Sequence, residues 1–469
     1  MTASFKRNQE IELTIDDLAF GGQGLARVDD FIIFFARCGT PGERVKAKIK
    51  KVKQNYAEAR IVDILEKSPL EIAAPCPYFR NCGGCRFQNL PHAQQTKYLE
   101  RQIDELYRHL GGFSDVPINP IIPSDEIFRY RNKMEFAFSD KRWLLKDDDI
   151  SRPIDFALGL RIPDNYYKAI DIDDCLIAPA ETAKIIPLVR DFALRNQLIP
   201  YNLNKHTGDL RHLVLRKGIL TDQIMINFVT SRNMLQILKP LTDTLIKEIP
   251  NVRSIVNTVT QNVSGKTTGE AIHQLTGELF ITEQIGDLTF KISPASFFQT
   301  NTRMAAKLYE IVRQFVQPLG HQIIWDLFCG TGSIGLYLAR DCRQVIGLEI
   351  VADAVSDAQE NARLNTIDNA IFRVANLEKD LNQSDSLKEL PNPDIIVVDP
   401  PRGGLTPQLI NIMRHVNPAR IVYVSCNPAS QVRDLKLLTA NDVYRITRVQ
   451  PLDLFPHTPH IETVALLER

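Results

Sequence analysis

Five short apolar runs in the last third of the chain constrain its fold more than any other feature: IIWDLF (323–328), QVIGLEI (344–350), IFRVAN (371–376), DIIVVDPP (394–401) and RIVYVSC (420–426). From about residue 291 the pattern is strand, loop, helix, repeated. Such alternation predicts a doubly wound parallel sheet, with ligands bound beyond the carboxyl ends of its strands. Residues that carry chemistry should therefore cluster just after each run.

The first turn, DLFCGTGSIG (326–335), places Gly330 and Gly332 where a ligand must approach the backbone. Glu349 closes the next strand about 20 residues on, where a carboxylate can take both hydroxyls of a ribose. Nicotinamide enzymes share that acidic position. A later strand, however, ends in VVDPPRGG, where two prolines stiffen the loop and Asp399 can reach a ligand. These features favour an S-adenosylmethionine pocket.

Cys426 closes the strand after that loop and so shares an edge with the expected methyl donor. Carbon 5 of a pyrimidine is a poor nucleophile. A thiolate that adds to carbon 6 moves electron density to carbon 5, which can then attack a sulfonium methyl. A base must afterwards remove the carbon 5 proton, and the tail DLFPHTPHIETVALL offers His457, His460 and Glu462, the last leading into an apolar terminal strand where desolvation would strengthen it. A buried structural thiol is the alternative reading of Cys426.

Residues 1–67 read as a small β domain, with apolar stretches broken by the turns FGGQG and CGTPGE. Within it, Arg44, Lys46, Lys48 and Lys50 recur with period two and share one strand face. That face is either solubilising or a contact for phosphates. Acids and bases balance over the whole chain, 56 against 56, so net charge names no partner. The start of the chain has no apolar leader core and no run is long enough to span a membrane, so the expectation is a soluble, cytoplasmic monomer.

Of eight cysteines, Cys76, Cys82 and Cys85 form C-x5-C-x2-C, and Cys175 in AIDIDDCLIAP is the nearest sensible fourth. Thiolates select zinc or iron–sulfur, and both stay open on spacing alone, although zinc ribbons prefer a repeated C-x2-C pair. The spacing also differs from the C-x3-C-x2-C of radical enzymes. Residues from about 97 to 290 mix helix and strand, and FRYRNKMEFAF interleaves Arg129, Arg131 and Lys133 with Phe128, Tyr130 and Phe136. GDLRHLVLRKG sets Arg211, His212 and Arg216 on another strand, and both stretches suit either a splayed single strand of RNA or an ordinary surface. Residues 146–171 carry no assignable motif.

Two resemblances sharpen this reading. FGGQGLARVDD with CGTPGERV and the basic strand resembles the nucleic-acid-binding barrel called TRAM, and FFQTN, DLFCGTG, VVDPPRGG, SCNP and FPHTPHIETV, in that order, closely resemble the RNA uracil-5-methyltransferase family. The resemblance implies a multi-domain α/β chain: a TRAM β-barrel (1–67), an iron–sulfur loop with a central α+β RNA-binding domain (68–290), and a Rossmann-like methyltransferase domain (291–469). It implies Cys426 as nucleophile and Glu462 as base, with Gln299, Phe328, Gly330, Gly332, Ser333, Glu349, Asn376 and Asp399 around S-adenosylmethionine. Cys76, Cys82, Cys85 and Cys175 would hold a [4Fe–4S] cluster, structural or serving RNA binding. Family members that carry both barrel and cluster often act on large-subunit ribosomal RNA, so the implied substrate is a uridine in a single-stranded loop or bulge of 23S rRNA, with transfer RNA the alternative. A nicotinamide-dependent oxidoreductase would leave Cys426 with Glu462 unexplained, and a non-catalytic RNA-binding metalloprotein would leave the last third idle.

Overall fold

A computed structural model describes residues 5–29, 31–35, 39–146, 148, 151–163, 165–263, 267–377 and 390–469. The first sheet holds β1 (Glu10–Thr14), β2 (Asp17–Ala19), β3 (Gln23–Val28), β4 (Phe31–Phe35), β5 (Arg44–Val52) and β6 (Tyr56–Glu66) in the order β1-β5-β6-β4-β3-β2. Its core is small, built on Ile33, Phe35, Val45, Ala47, Ile49, Ala57 and Ala59. The alternation foreseen for β5 holds, because Val45, Ala47 and Ile49 are buried while Arg44, Lys46 and Lys48 lie on the other face.

That basic face is matched by acids on the neighbouring strands. Arg44 pairs with Glu12 at 2.9 Å and Glu66 at 2.8 Å, and Lys46 pairs with Glu10 at 2.9 Å. A cation already paired across a sheet releases few RNA counterions, so Lys46→Glu should change the slope of log affinity against log salt by less than the roughly 0.7 expected for one lost single-strand phosphate contact. Filter binding across a salt series measures it.

After the cysteine loop comes α1 (His92–Glu105), which runs on as a π-helical turn, Leu106–Gly111. The central sheet follows: β7 (Lys133–Ser139), β8 (Ala157–Ile162), β9 (Asn165–Asp171), α2 (Thr182–Arg195), β10 (Leu210–Lys217), β11 (Ile224–Thr230), α3 (Leu235–Glu248), β12 (Val252–Val259) and β13 (Ala271–Gly277). Its order is β13-β12-β11-β10-β7-β8-β9, antiparallel except for the β11–β12 pair. The hairpin β14 (Ile281–Ile285) and β15 (Leu288–Ile292) packs into the core of the last third with α4 (Thr302–Val316).

The last third contains β16 (Ile323–Leu327), α5 (Ser333–Ala339), β17 (Gln344–Glu349), α6 (Ala352–Leu364), β18 (Ala370–Val374), β19 (Ile395–Val398), α7 (Pro407–Val416), β20 (Arg420–Ser425), α8 (Pro428–Leu438), β21 (Arg445–Leu452) and β22 (Glu462–Glu468). The order is β18-β17-β16-β19-β20-β22-β21. The first five strands are parallel, and β22 runs antiparallel to both its neighbours. Chain order reverses between β16 and β19, the switch point at which such sheets bind ligands.

The central strands of this sheet are buried on two faces, whereas β18 at its edge is largely exposed. Ile324, Val345, Val397 and Val422 join a core with α4 and α5, whereas Trp325, Ile346, Ile396 and Tyr423 join one with α7 and α8. Leu99, Ile103 and Tyr107 of the distant first helix complete the second core, and Tyr107 Oη donates to Gln431 at 2.8 Å. A segment some 200 residues upstream therefore covers the catalytic sheet.

Candidate active site

The first turn adopts the backbone that close approach requires. Phe328, Gly330 and Gly332 all have positive φ, 61°, 53° and 77°. A Cβ at Gly330 would meet nothing within 4 Å, whereas one at Gly332 would fall 2.7 Å from the Phe372 ring. The space above Gly330 is thus an open cradle, and Gly332 is needed for packing. Glu349 faces the cradle, accepting from Gly330 N at 3.2 Å, Ile350 N at 2.8 Å and Val351 N at 3.0 Å. Its carboxylate retains lone pairs for further donors. Asn376 follows β18 at the same edge, half-buried.

Ser333 sits lower. Its hydroxyl is 2.7 Å from Tyr309 Oη in a buried contact at the start of α5, which makes it a support for the turn. Asp326, read only as the start of the motif, plays a comparable part. It is buried, accepts from Gly335 N at 2.9 Å, and burial pushes its carboxyl up to about 8. Gly330→Ala should weaken S-adenosylmethionine binding about tenfold or more, since a left-handed φ costs an L-residue roughly 1–2 kcal/mol and the new methyl occupies the cradle. Calorimetric titration should show that loss with the melting temperature barely moved.

At the carboxyl ends of β19, β20 and the start of β22, four charged or nucleophilic side chains converge. Glu462 is buried and Asp399 half-buried: loss of solvation pushes Asp399 up to about 7, and burial, then the charge of Asp399, carries Glu462 well above the carboxylate range. Gln299, itself buried, lies 3.5 Å from Asp399 through its amide nitrogen. Burial, then Glu462 and Asp399, push the Cys426 thiol up to about 11, while a hydrogen bond and the charge of Arg402 act in the opposite direction. Cys426 remains part exposed at the mouth.

Arg402 is the member of this group that sequence reasoning quoted within DPPRGG without giving it a role. The signal was its position two residues after the strand-end proline pair begins at Pro400, on the edge shared with Cys426. Its guanidinium lies 3.1 Å from His460 Nδ1, and its carbonyl accepts from Asn427 at 2.9 Å. His460 is driven down to about 4 by burial and by Arg402, Arg131 and Arg86, and His457 down to about 4 by burial and His92. Both rings are neutral at physiological pH. His457 is packed against Phe128 at a centroid distance of 4.5 Å, away from the thiol's hydrogen-bond partners.

The cysteine set also comes together. Cys76, Cys82, Cys85 and Cys175 are free thiols, and Cys82 and Cys85 pack against the core that contains Cys175. Burial pushes Cys82 and Cys85 up to about 12, with the other sulfurs of the set adding to it. Among the described residues no three His, Cys, Asp or Glu gather as tightly as one metal ion requires. The four thiols share one neighbourhood, since both Cys82 and Cys85 feel the charges of Cys76 and Cys175.

The basic residues foreseen as RNA contacts divide. Arg129 binds Asp174 at 2.5 and 2.9 Å and Cys175 O at 3.0 Å, bracing the loop of the fourth cysteine. Arg211 and Arg216 are buried, donating to Thr260 O at 3.1 Å and to Ser296 O. Arg211 and Arg216 are internal braces because their places on β10 leave them no solvent face, and the half-buried Arg129 braces from the loop ahead of β7. Tyr130 and Asn132 bind the catalytic third instead, Tyr130 Oη to Pro456 O at 3.1 Å and Asn132 Nδ2 to Gln299 O at 2.8 Å.

The model of the tRNA (Uracil-5-)-methyltransferase family matches residues 218–469, and the TRAM domain model matches residues 4–62. The chain belongs to the RNA uracil-5-methyltransferase family. An uncharacterized RNA methyltransferase of Chlorobaculum tepidum is 39% identical over 99% of this chain and 97% of its own, and one from Halalkalibacterium halodurans is 37% identical over 99% and 98%. Among solved structures, the Pyrococcus abyssi tRNA (uracil-54, C5)-methyltransferase in complex with S-adenosyl-L-homocysteine superposes with a TM-score of 0.75 at 30% identity, covering 97% of this chain and 100% of that one. The chain is thus an S-adenosylmethionine-dependent RNA methyltransferase with an N-terminal TRAM domain. Among the described residues no helix is long and apolar enough to cross a membrane.

Proposed function

We propose that this enzyme methylates carbon 5 of a uridine in structured RNA through a covalent adduct between Cys426 and carbon 6. The observation that carries the reading is the convergence of Cys426, Glu462, Asp399 and Arg402 at the sheet edge beside the Gly330 cradle. Gly330, Glu349, Asn376, Phe328, Gln299 and Asp399 would hold S-adenosylmethionine, which when bound would supply the methyl group.

Arg402 stabilises the Cys426 thiolate, which forms a bond to carbon 6 while the ring electrons move toward carbon 5. Carbon 5 takes the methyl as its bond to the donor's sulfonium sulfur breaks, leaving that sulfur as a thioether. Glu462, held out of water, then accepts the carbon 5 proton; the C–H electrons restore the 5,6 double bond and the sulfur–carbon bond breaks, returning the thiolate. Because Glu462 is raised, its ionised fraction climbs with pH at higher pH than an ordinary carboxylate's. A target uridine must leave its stack to reach both groups, which costs least in a loop or bulge.

The three-part division 1–67, 68–290 and 291–469 organises this reading, with Cys76, Cys82, Cys85 and Cys175 holding a [4Fe–4S] cluster in the middle part. The first substrate reading is 23S rRNA, from the joint presence of barrel and cysteine set. The likeness to a transfer-RNA enzyme over 97% of this chain favours a second, transfer RNA, because barrel and central regions are shared there too. Nucleoside mass spectrometry of separated 23S and transfer RNA from a deletion strain decides: one fraction should lose a single 5-methyluridine, and no loss in either would refute the assignment.

A further inference from the structure

The chain reaches Glu462 through a turn that is gripped from outside the catalytic third. Gln95, in the first turn of α1 and 2% exposed, clasps His457 on two sides: its Oε1 accepts from His457 N at 3.0 Å and its amide nitrogen lies 3.1 Å from His457 Nδ1. The same amide donates to Phe87 O at 2.9 Å and Leu90 O at 2.8 Å, so Gln95 is itself fixed to the end of the cysteine loop. That loop returns the grip, with Arg86 N and Phe87 N donating to His457 O at 2.7 and 3.1 Å. His457 holds a left-handed φ of 68° within this clasp.

The turn is pinned at both ends. His92 binds Asp453 at 2.7 Å, and beyond His457 the nitrogen of His460 donates to Thr458 Oγ1 at 3.2 Å. Pro459 packs where a side chain at Gly22 of the first sheet would collide, at 2.9 Å, with Phe87 at 3.0 Å beside it. Glu462 is the first residue of β22, paired on one side with Leu452, so its approach to the uracil depends on the turn that precedes it.

We propose that Gln95 is a positioning residue for the last chemical step: by holding His457 it sets the turn 457–461, and with it Glu462 against the carbon 5 proton. The cysteine loop and proton abstraction then form one mechanical unit. This rests on the covalent methylation reading above. Displacement of a base by about 1 Å costs on the order of 10²-fold in its own step. Attack by Cys426 and methyl transfer depend on groups that the clasp does not touch.

The test follows single turnovers of the full-length enzyme on RNA with labelled methyl donor, scoring methyl transferred and methylated RNA still bound to protein on denaturing gels. Gln95→Ala should transfer methyl within about threefold of wild type yet retain at least about tenfold more of it as covalent complex. Gln94→Ala, a neighbour outside the clasp, should match wild type. His457→Gly, which keeps all three backbone bonds and relieves the left-handed φ, should retain less complex than Gln95→Ala. A Gln95→Ala enzyme with wild-type partition, or one whose transfer falls in proportion to release, overturns the proposal. If Gln95→Ala loses its cooperative melt, Phe128→Leu, which loosens His457 from its other face, must show the same excess or the proposal fails. Absence of any adduct between wild type and 5-fluorouridine RNA would instead sink the covalent reading itself.

Discussion

Cys426→Ala will bind RNA and S-adenosylmethionine but transfer no methyl above background, because carbon 5 then lacks the electron density that thiolate addition supplies. Glu462→Gln will behave differently. Addition and methyl transfer remain open to it, but release slows by about 10²–10⁴-fold, so a methylated protein–RNA complex accumulates. In the wild type, release should accelerate with rising pH at values above those where an ordinary carboxylate ionises, since burial and Asp399 hold the Glu462 proton more tightly than water would. Glu462→Gln should flatten that dependence. Quench-flow with gel separation of free and protein-bound methylated RNA reads all of these; normal release by Glu462→Gln would remove Glu462 from the role of base.

The second large effect concerns the four thiols. Protein purified without oxygen should carry about four irons per chain and a broad visible absorption, and Cys175→Ala should abolish both as completely as Cys82→Ala. The two cysteines lie 93 positions apart in the chain yet pack in one core, so a shared loss reports a shared centre. Zinc at one equivalent with no iron would contradict the cluster. The Arg129 brace on Asp174 and Cys175 O explains why the fourth thiol stays in place, and Arg129→Ala should lower iron retention without touching any sulfur.

Much of this was legible in the chain itself, for identifiable reasons. The catalytic sheet could be read because its central strands are covered on both faces, which writes an unbroken apolar run, and because Glu349, Asp399 and Cys426 come at the ends of those runs. Glu462 was read instead from the tail HIETV, as the acid leading into an apolar terminal strand. The fourth cysteine was read as the nearest sensible one, since Cys329, Cys342 and Cys426 belong to the last third of the chain.

What was not legible depended on contacts between distant segments. Nothing local in RVKAKIKKVK says that Glu10, Glu12 and Glu66 stand opposite its cations. FRYRNK reads as an exposed basic strand, but Tyr130 and Asn132 face the catalytic third and Arg129 faces Cys175. Alternation identifies two faces without saying what covers each. Gln95 and His457 lie 362 residues apart, and a polar residue on a helix gives no sign in sequence that it grips a catalytic turn. Arg402 was visible as a residue and invisible as a partner, because its role depends on β19 and β20 being neighbours.

The most direct test is a trap. RNA carrying 5-fluorouridine at the target position offers carbon 5 no proton to remove, so the reaction should halt after methyl transfer with enzyme and RNA joined. Digestion and mass spectrometry of that complex should give one cross-linked peptide, bonded through the sulfur of Cys426 to carbon 6 of a methylated fluorouridine. Methylation without any such bond, or a bond to another cysteine, would contradict the account.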